Sequence, residues 1–139
     1  MTSRSINIPA ANYVFFGAGI IVDPESWLVP FSAAGPSISP GGEIAASLHV
    51  QRDGIIRRMT ISQSTPTVQQ VTYTLEAYDP ALLSWYGTGV SGEVPVGAQI
   101  AEARGATFVA QSFDFIRIKV SKAPAEPDIN HVRVFVELA

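Results

Sequence analysis

Five prolines (Pro9, Pro24, Pro30, Pro36 and Pro40) punctuate the first forty residues of this chain, and that spacing excludes a helix there. Each proline removes a backbone donor and clashes with the preceding helical turn. The same forty residues hold five of the thirteen aromatics, namely Tyr13, Phe15, Phe16, Trp27 and Phe31. They carry only three charges: Arg4, Asp23 and Glu25. Solvated tails are polar and charged, so this segment must lie extended against something. The remaining residues read as a complete β-domain. We therefore expect an arm over residues 1–40 that packs on another subunit, followed by a sandwich domain over residues 41–139. A second reading stays open, in which residues 13–22 form the first core strand and only the residues before them are free.

Composition points the same way. Charged residues make up 15%, against a usual ~25%, and mean hydropathy is +0.23. A lone monomer of this makeup exposes much apolar surface, whereas an oligomer covers it. The net charge of −3 argues against nucleic acid and anionic membranes as partners. Absence of cysteine removes disulfides, thiolate metal sites and cysteine nucleophiles. The longest apolar run, residues 13–22, is about half a membrane span. It has no cleavage site behind it, so we expect no removed leader, and both chain ends tied down.

From residue 43 onward the hydrophobic period is close to two. Strands are expected at 44–50 and 55–62, joined by a hairpin turn at Asp53-Gly54. Residues 68–78 alternate, with Val71, Tyr73, Leu75 and Ala77 on one face and Thr72, Thr74 and Glu76 on the other. Residues 81–86 fit either a short strand or a helical turn. A loop is expected at 88–92, a strand at 94–101 and a single helical turn at 101–106. In 113–121, Phe113 and Phe115 share one face and Ile116, Ile118 and Val120 the other, which a β-bulge near Phe115 reconciles. The chain closes on 131–138 with Val132, Val134, Val136 and Leu138 inward. About eight strands at these intervals mean an all-β, antiparallel sandwich or barrel.

Motifs for chemistry fail on context. Gly87-Thr88-Gly89-Val90-Ser91-Gly92 spells G-x-G-x-x-G, but no helix follows to face a pyrophosphate, and a flexible loop is the better reading. His49 and His131 lack the convergent partners of a zinc site, and no strand-turn-helix elbow supports a triad of Ser, His49 and Asp53. Both are read as structural. The carboxylates match no calcium loop and mark no glycosidase pair. Neither a cofactor nor a metal is expected. Trp85 and Tyr86, beside the glycine-rich stretch, are the one candidate ligand platform, with core or interface packing as the alternative.

With the strands assigned, a resemblance emerges. Gly54-Ile55-Ile56-Arg57-Arg58-Met59-Thr60-Ile61 resembles the G-x-I-x-x-L-x-V strand of small trimeric jelly-roll domains. Val71-Thr72-Tyr73-Thr74-Leu75 resembles their V-T-x-T-L strand. Residues 115–120 and 131–138 resemble their final strand pair. These tumour-necrosis-factor-like domains occur at the tips of bacterial spore-surface fibres and on tailed phages, as capsid decoration proteins and fibre modules. The resemblance spans residues 43–138 and rests on packing patterns, so it carries over no catalytic residue. It implies a jelly-roll homotrimer. In place of a collagen-like stalk this chain has its apolar first forty residues, which favours a capsid-surface protein.

The expectation is therefore a non-enzymatic capsid decoration or cement protein. Made in a host cytoplasm, it would sit on the virion surface, its partners copies of itself and the major capsid protein or other virion subunits. Tyr13, Phe15, Phe16, Trp27 and Phe31 would be its anchors. The alternative is a trimeric tail-fibre or adhesin tip that binds a cell-surface glycan through Trp85 and Tyr86.

Overall fold

The computed structural model describes residues 12–50, 54–110 and 114–138. They form ten strands: β1 (Asn12–Ile21), β2 (Glu25–Trp27), β3 (Val29–Pro30), β4 (Leu48–Val50), β5 (Gly54–Ser62), β6 (Val71–Asp79), β7 (Ser84–Val94), β8 (Ile100–Ala110), β9 (Asp114–Lys122) and β10 (Ile129–Leu138). One sheet runs β3-β1-β10-β5-β8; the other runs β2-β9-β6-β7, with β4 also paired to β9. The named strand pairs are all antiparallel. The four-strand runs β1-β10-β5-β8 and β2-β9-β6-β7 have the strand order of a jelly roll, because the chain keeps crossing from one sheet to the other. The fold is an all-β sandwich, as the period of two requires.

Alternation places the core. Val71, Tyr73, Leu75 and Ala77 of β6, Ile116, Ile118 and Val120 of β9, and Val132, Val134 and Val136 of β10 are all buried between the sheets. Tyr73 carries a hydroxyl into this apolar layer and donates it to Gln63 Oε1 (2.8 Å). Burial, aided by the nearby Glu126 charge, pushes its phenol well above the ordinary range, so it remains a neutral donor.

The boundary expected at residue 40 is not a domain boundary. β1 lies inside a sheet, paired to β10 along its length and to β3 on the other side. Phe16, Ala18, Ile21 and Leu28 join the same core as the later strands. The second reading of residues 13–22 holds: they are a first core strand, and only residues 1–11 precede it, outside the described residues. Gly17 explains how the following segment returns. A Cβ there would lie 2.7 Å from the carbonyl oxygens of both Ser32 and Val132, so the chain crosses β1 only because this position has no side chain.

Five local expectations change. The strand expected at 94–101 is not one element: Val94 ends β7, residues 95–99 form the connection, and Ile100 opens β8. Residues 43–46 form a 3-10 turn, Glu43–Ala46, before the short β4. Residues 68–70 are not strand: their three N–H groups converge on the Glu126 carboxylate instead. Residues 88–92 are not a loop but the middle of β7, kinked where the register slips opposite Thr74 and Glu76 and where Gly89 takes a positive φ of 88°. Residues 101–106 belong to β8, because pairing with β5 overrides their weak helical pattern. Of residues 81–86, 84–86 open β7, after a turn. Asp53 and Phe113, on which the hairpin turn and the bulge were read, lie outside the described residues.

Candidate functional site

The five aromatics of the first forty residues divide between inside and outside. Phe16 is in the core, and Trp27 is buried outside the main core cluster. Tyr13, Phe15 and Phe31 lie on the outer face of the first sheet. Phe135 joins them because β10 pairs Phe15 with Phe135 directly. The Phe15 ring meets Phe31 edge-on, centroids 6.0 Å apart, and Phe135 at 5.7 Å. Tyr13 is 54% exposed, Phe31 55% and Phe135 41%. This is an aromatic patch turned to solvent. Phe31 is held there by its N–H, which donates to the Phe15 carbonyl (2.8 Å), and by a positive φ of 55°.

Beside the patch, Glu137 accepts two hydrogen bonds from Arg58, from Nε (3.0 Å) and Nη2 (2.8 Å). The Arg58 bond, with its charge behind it, holds the Glu137 carboxyl below its ordinary value, and the reciprocal contact raises Arg58.

The outer face of the second sheet is built differently. Alternation that sends Ile116 and Ile118 inward sends Phe115, Arg117 and Lys119 outward, opposite Tyr78, Glu76 and Thr74 of β6. Glu76 and Arg117 are direct cross-strand partners, with Arg117 Nε donating to Glu76 Oε1 (2.7 Å). Trp27 Nε1 donates to the same oxygen (3.0 Å). The guanidinium lies between two indoles, 4.0 Å from the Trp85 ring centre and 5.0 Å from Trp27. Trp85 also touches Tyr78 (5.4 Å), Tyr78 meets Phe115 edge-on (6.5 Å), and Phe115 stacks on His49 (4.7 Å). The 3-10 turn packs against β2 and β3, and with the following Ser47 it walls one side of a cleft of about 700 Å³.

Of the two residues expected as a ligand platform, Trp85 lines this cleft and Tyr86 does not. The neighbouring strand positions send them to opposite faces. Glu76, Tyr78, Phe115 and Arg117 were not singled out beforehand. Their signal was the outward phase of two alternating strands, which places them on one face without revealing which rings meet. His49 packs against Phe115, and His131 stands exposed at a positive φ of 52°. Among the described residues no three of His, Cys, Asp and Glu gather as metal ligands, and no helix is long and apolar enough to cross a membrane.

The site and fold together define a jelly-roll sandwich with one bare aromatic face and one aromatic cleft. In comparison with known proteins, no family model matches this chain, and no curated protein matches it.

Proposed function

We propose that this chain is a non-enzymatic structural protein. It assembles with copies of itself, as a homotrimer, in the decoration layer of a viral shell. The observation that carries the reading is the patch of Tyr13, Phe15, Phe31 and Phe135. A ring buries roughly 150–250 Å² when fully covered. With Tyr13, Phe31 and Phe135 about half exposed, on the order of 300 Å² of aromatic surface waits for a partner. That is below the ~800 Å² per side of a stable interface, so the patch is the centre of a contact rather than all of it. Aromatic anchors at an interface centre are where binding energy concentrates. The trimer and the shell come from the resemblance of residues 43–138, and the patch supplies a surface for either contact.

Dilution tests the self-association. The full chain should sediment as a species of about 44 kDa, three times 14.8 kDa, and hold that mass into the low micromolar range. A monodisperse monomer there contradicts the trimer. Co-sedimentation with particles from the native source tests the shell: the chain should pellet with them, and Phe31→Ser together with Tyr13→Ser should reduce the bound fraction. Recovery of the chain only in the particle-free fraction contradicts the decoration role.

A further inference from the structure

We propose that the cleft on the outer face of the second sheet binds a neutral pyranose sugar. Its volume of about 700 Å³ lies within the usual range for small-molecule sites, ~300–1,000 Å³. The walls combine three rings, Tyr78, Trp85 and Phe115, with the polar side chains of Glu43, Ser47 and Arg117. A pyranose has matching halves: a C–H face that packs on an aromatic ring, and a rim of hydroxyls that needs donors and acceptors. An amphipathic wall of this kind suits such a ligand better than a wholly apolar one.

The rings are set before any ligand arrives. Arg117 is clamped between Trp27 and Trp85 and tied to Glu76. Phe115 is backed by His49, and Tyr78 bridges Trp85 and Phe115. Binding therefore costs little side-chain ordering, which is where rigid sites gain affinity.

Charge selects among ring-shaped ligands. Glu76 compensates Arg117, Lys119 pairs with Glu25 (2.9 Å), and Glu43 adds a carboxylate at the rim. The cleft thus offers an anionic sugar or a nucleotide phosphate no uncompensated charge from Arg117 or Lys119, and the net charge of −3 repels both. A cationic ligand would want a bare indole face, yet Arg117 already lies over Trp85, which leaves the Tyr78 and Phe115 rings of the cleft for the C–H face of a sugar. A neutral sugar satisfies all of these conditions. The inference does not rest on the assembly reading, since the cleft and the aromatic patch lie on different sheets.

The chain's two tryptophans, Trp27 and Trp85, flank Arg117 at this site, so their emission reports directly on the cleft. Full-length protein would be titrated with the methyl glycosides of glucose, galactose, mannose and N-acetylglucosamine. N-acetylneuraminic acid and adenosine monophosphate serve as anionic probes, and saturation-transfer NMR is the second readout. At least one neutral glycoside should give a saturable emission change and ring-proton saturation transfer. Ser47→Tyr, which fills the cleft from its rim, should weaken that binding by about tenfold or more at an unchanged melting temperature. Tyr78→Ala provides a second block should Ser47→Tyr destabilise the fold. Three results overturn the proposal: no saturable response to any neutral glycoside, binding that survives both folded variants, or tighter binding of either anionic probe.

Discussion

On the first sheet's outer face, Phe15 touches Phe31 and Phe135, and the cluster meets water. On the second sheet's outer face, Trp27 and Trp85 instead enclose a guanidinium, and Glu76 binds both that cation and an indole N–H. The two faces use similar side chains to different ends. Rings that touch only rings leave apolar area to be covered by another surface. Rings interleaved with a paired charge are fixed in place and leave a shaped, polar-edged space between them. The first arrangement suits a broad contact and the second a small ligand.

The strongest test of this comparison removes what both faces share. β1 to β3 contribute Phe16, Ala18, Ile21 and Leu28 to the common core, and Trp27 to the second face. Deleting residues 1–40 should abolish cooperative unfolding altogether, as followed by circular dichroism. A folded, cooperative product of that deletion would return the segment to the status of an arm.

A smaller effect separates the faces. Glu76→Ala strands the Arg117 guanidinium, whose side chain is only 9% exposed, between two indoles. Breaking a buried pair from one side costs about 3–5 kcal/mol; solvent at the cleft lowers this to an expected ~3 kcal/mol in urea unfolding. Phe135→Ser on the other face should cost under about 1 kcal/mol in the isolated subunit, since that ring is already partly in water. Equal losses would mean that the faces do not differ as described.

The smallest effect is on pH dependence. The Arg58 hydrogen bond holds the Glu137 carboxyl below its ordinary value of 4.5. A lowered folded-state value means stability that is fully present above the unfolded value and is lost as pH falls through the folded one. Melting temperature from about pH 6 down to about pH 3 should therefore fall less steeply in Glu137→Gln than in the parent. Parallel curves would show that this pair contributes nothing to acid sensitivity.

The sequence shows β6 clearly, because its buried and outward residues alternate along the strand, and likewise β10 from Val132 to Val136, past the break at His131. β1 is harder to read: apolar Phe15 and Phe16 are adjacent, one on each face, so no period of two marks it as a sheet member. Its aromatics look alike in the sequence, and only the pairing with β10 sends Phe16 inward and Phe15 to the patch. The cleft was half visible. Outward phase already puts Phe115 with Arg117, and Glu76 with Thr74. Trp27 and Glu76, however, are 49 positions apart, and Arg117 and Glu76 are 41 apart. No local pattern encodes such meetings. They follow from the jelly-roll order, which sets β2, β9 and β6 side by side. Kinking of β7 at Gly89 was hidden for a related reason, since a glycine-rich run reads as a loop until a paired neighbour is known.

The central claim is that the bare aromatic face joins subunits, and the mass of a patch variant tests it most directly. Phe15→Ser combined with Phe135→Ser removes two rings that touch each other on the surface and leaves the core residues Phe16, Val134 and Val136 in place. Sedimentation equilibrium at matched micromolar concentration should give about 44 kDa, three times 14.8 kDa, for the parent. The folded double variant should shift toward the single-subunit mass of 14.8 kDa. A double variant that keeps the parent's mass and dilution behaviour would contradict the account, because subunits would then be meeting through some other surface.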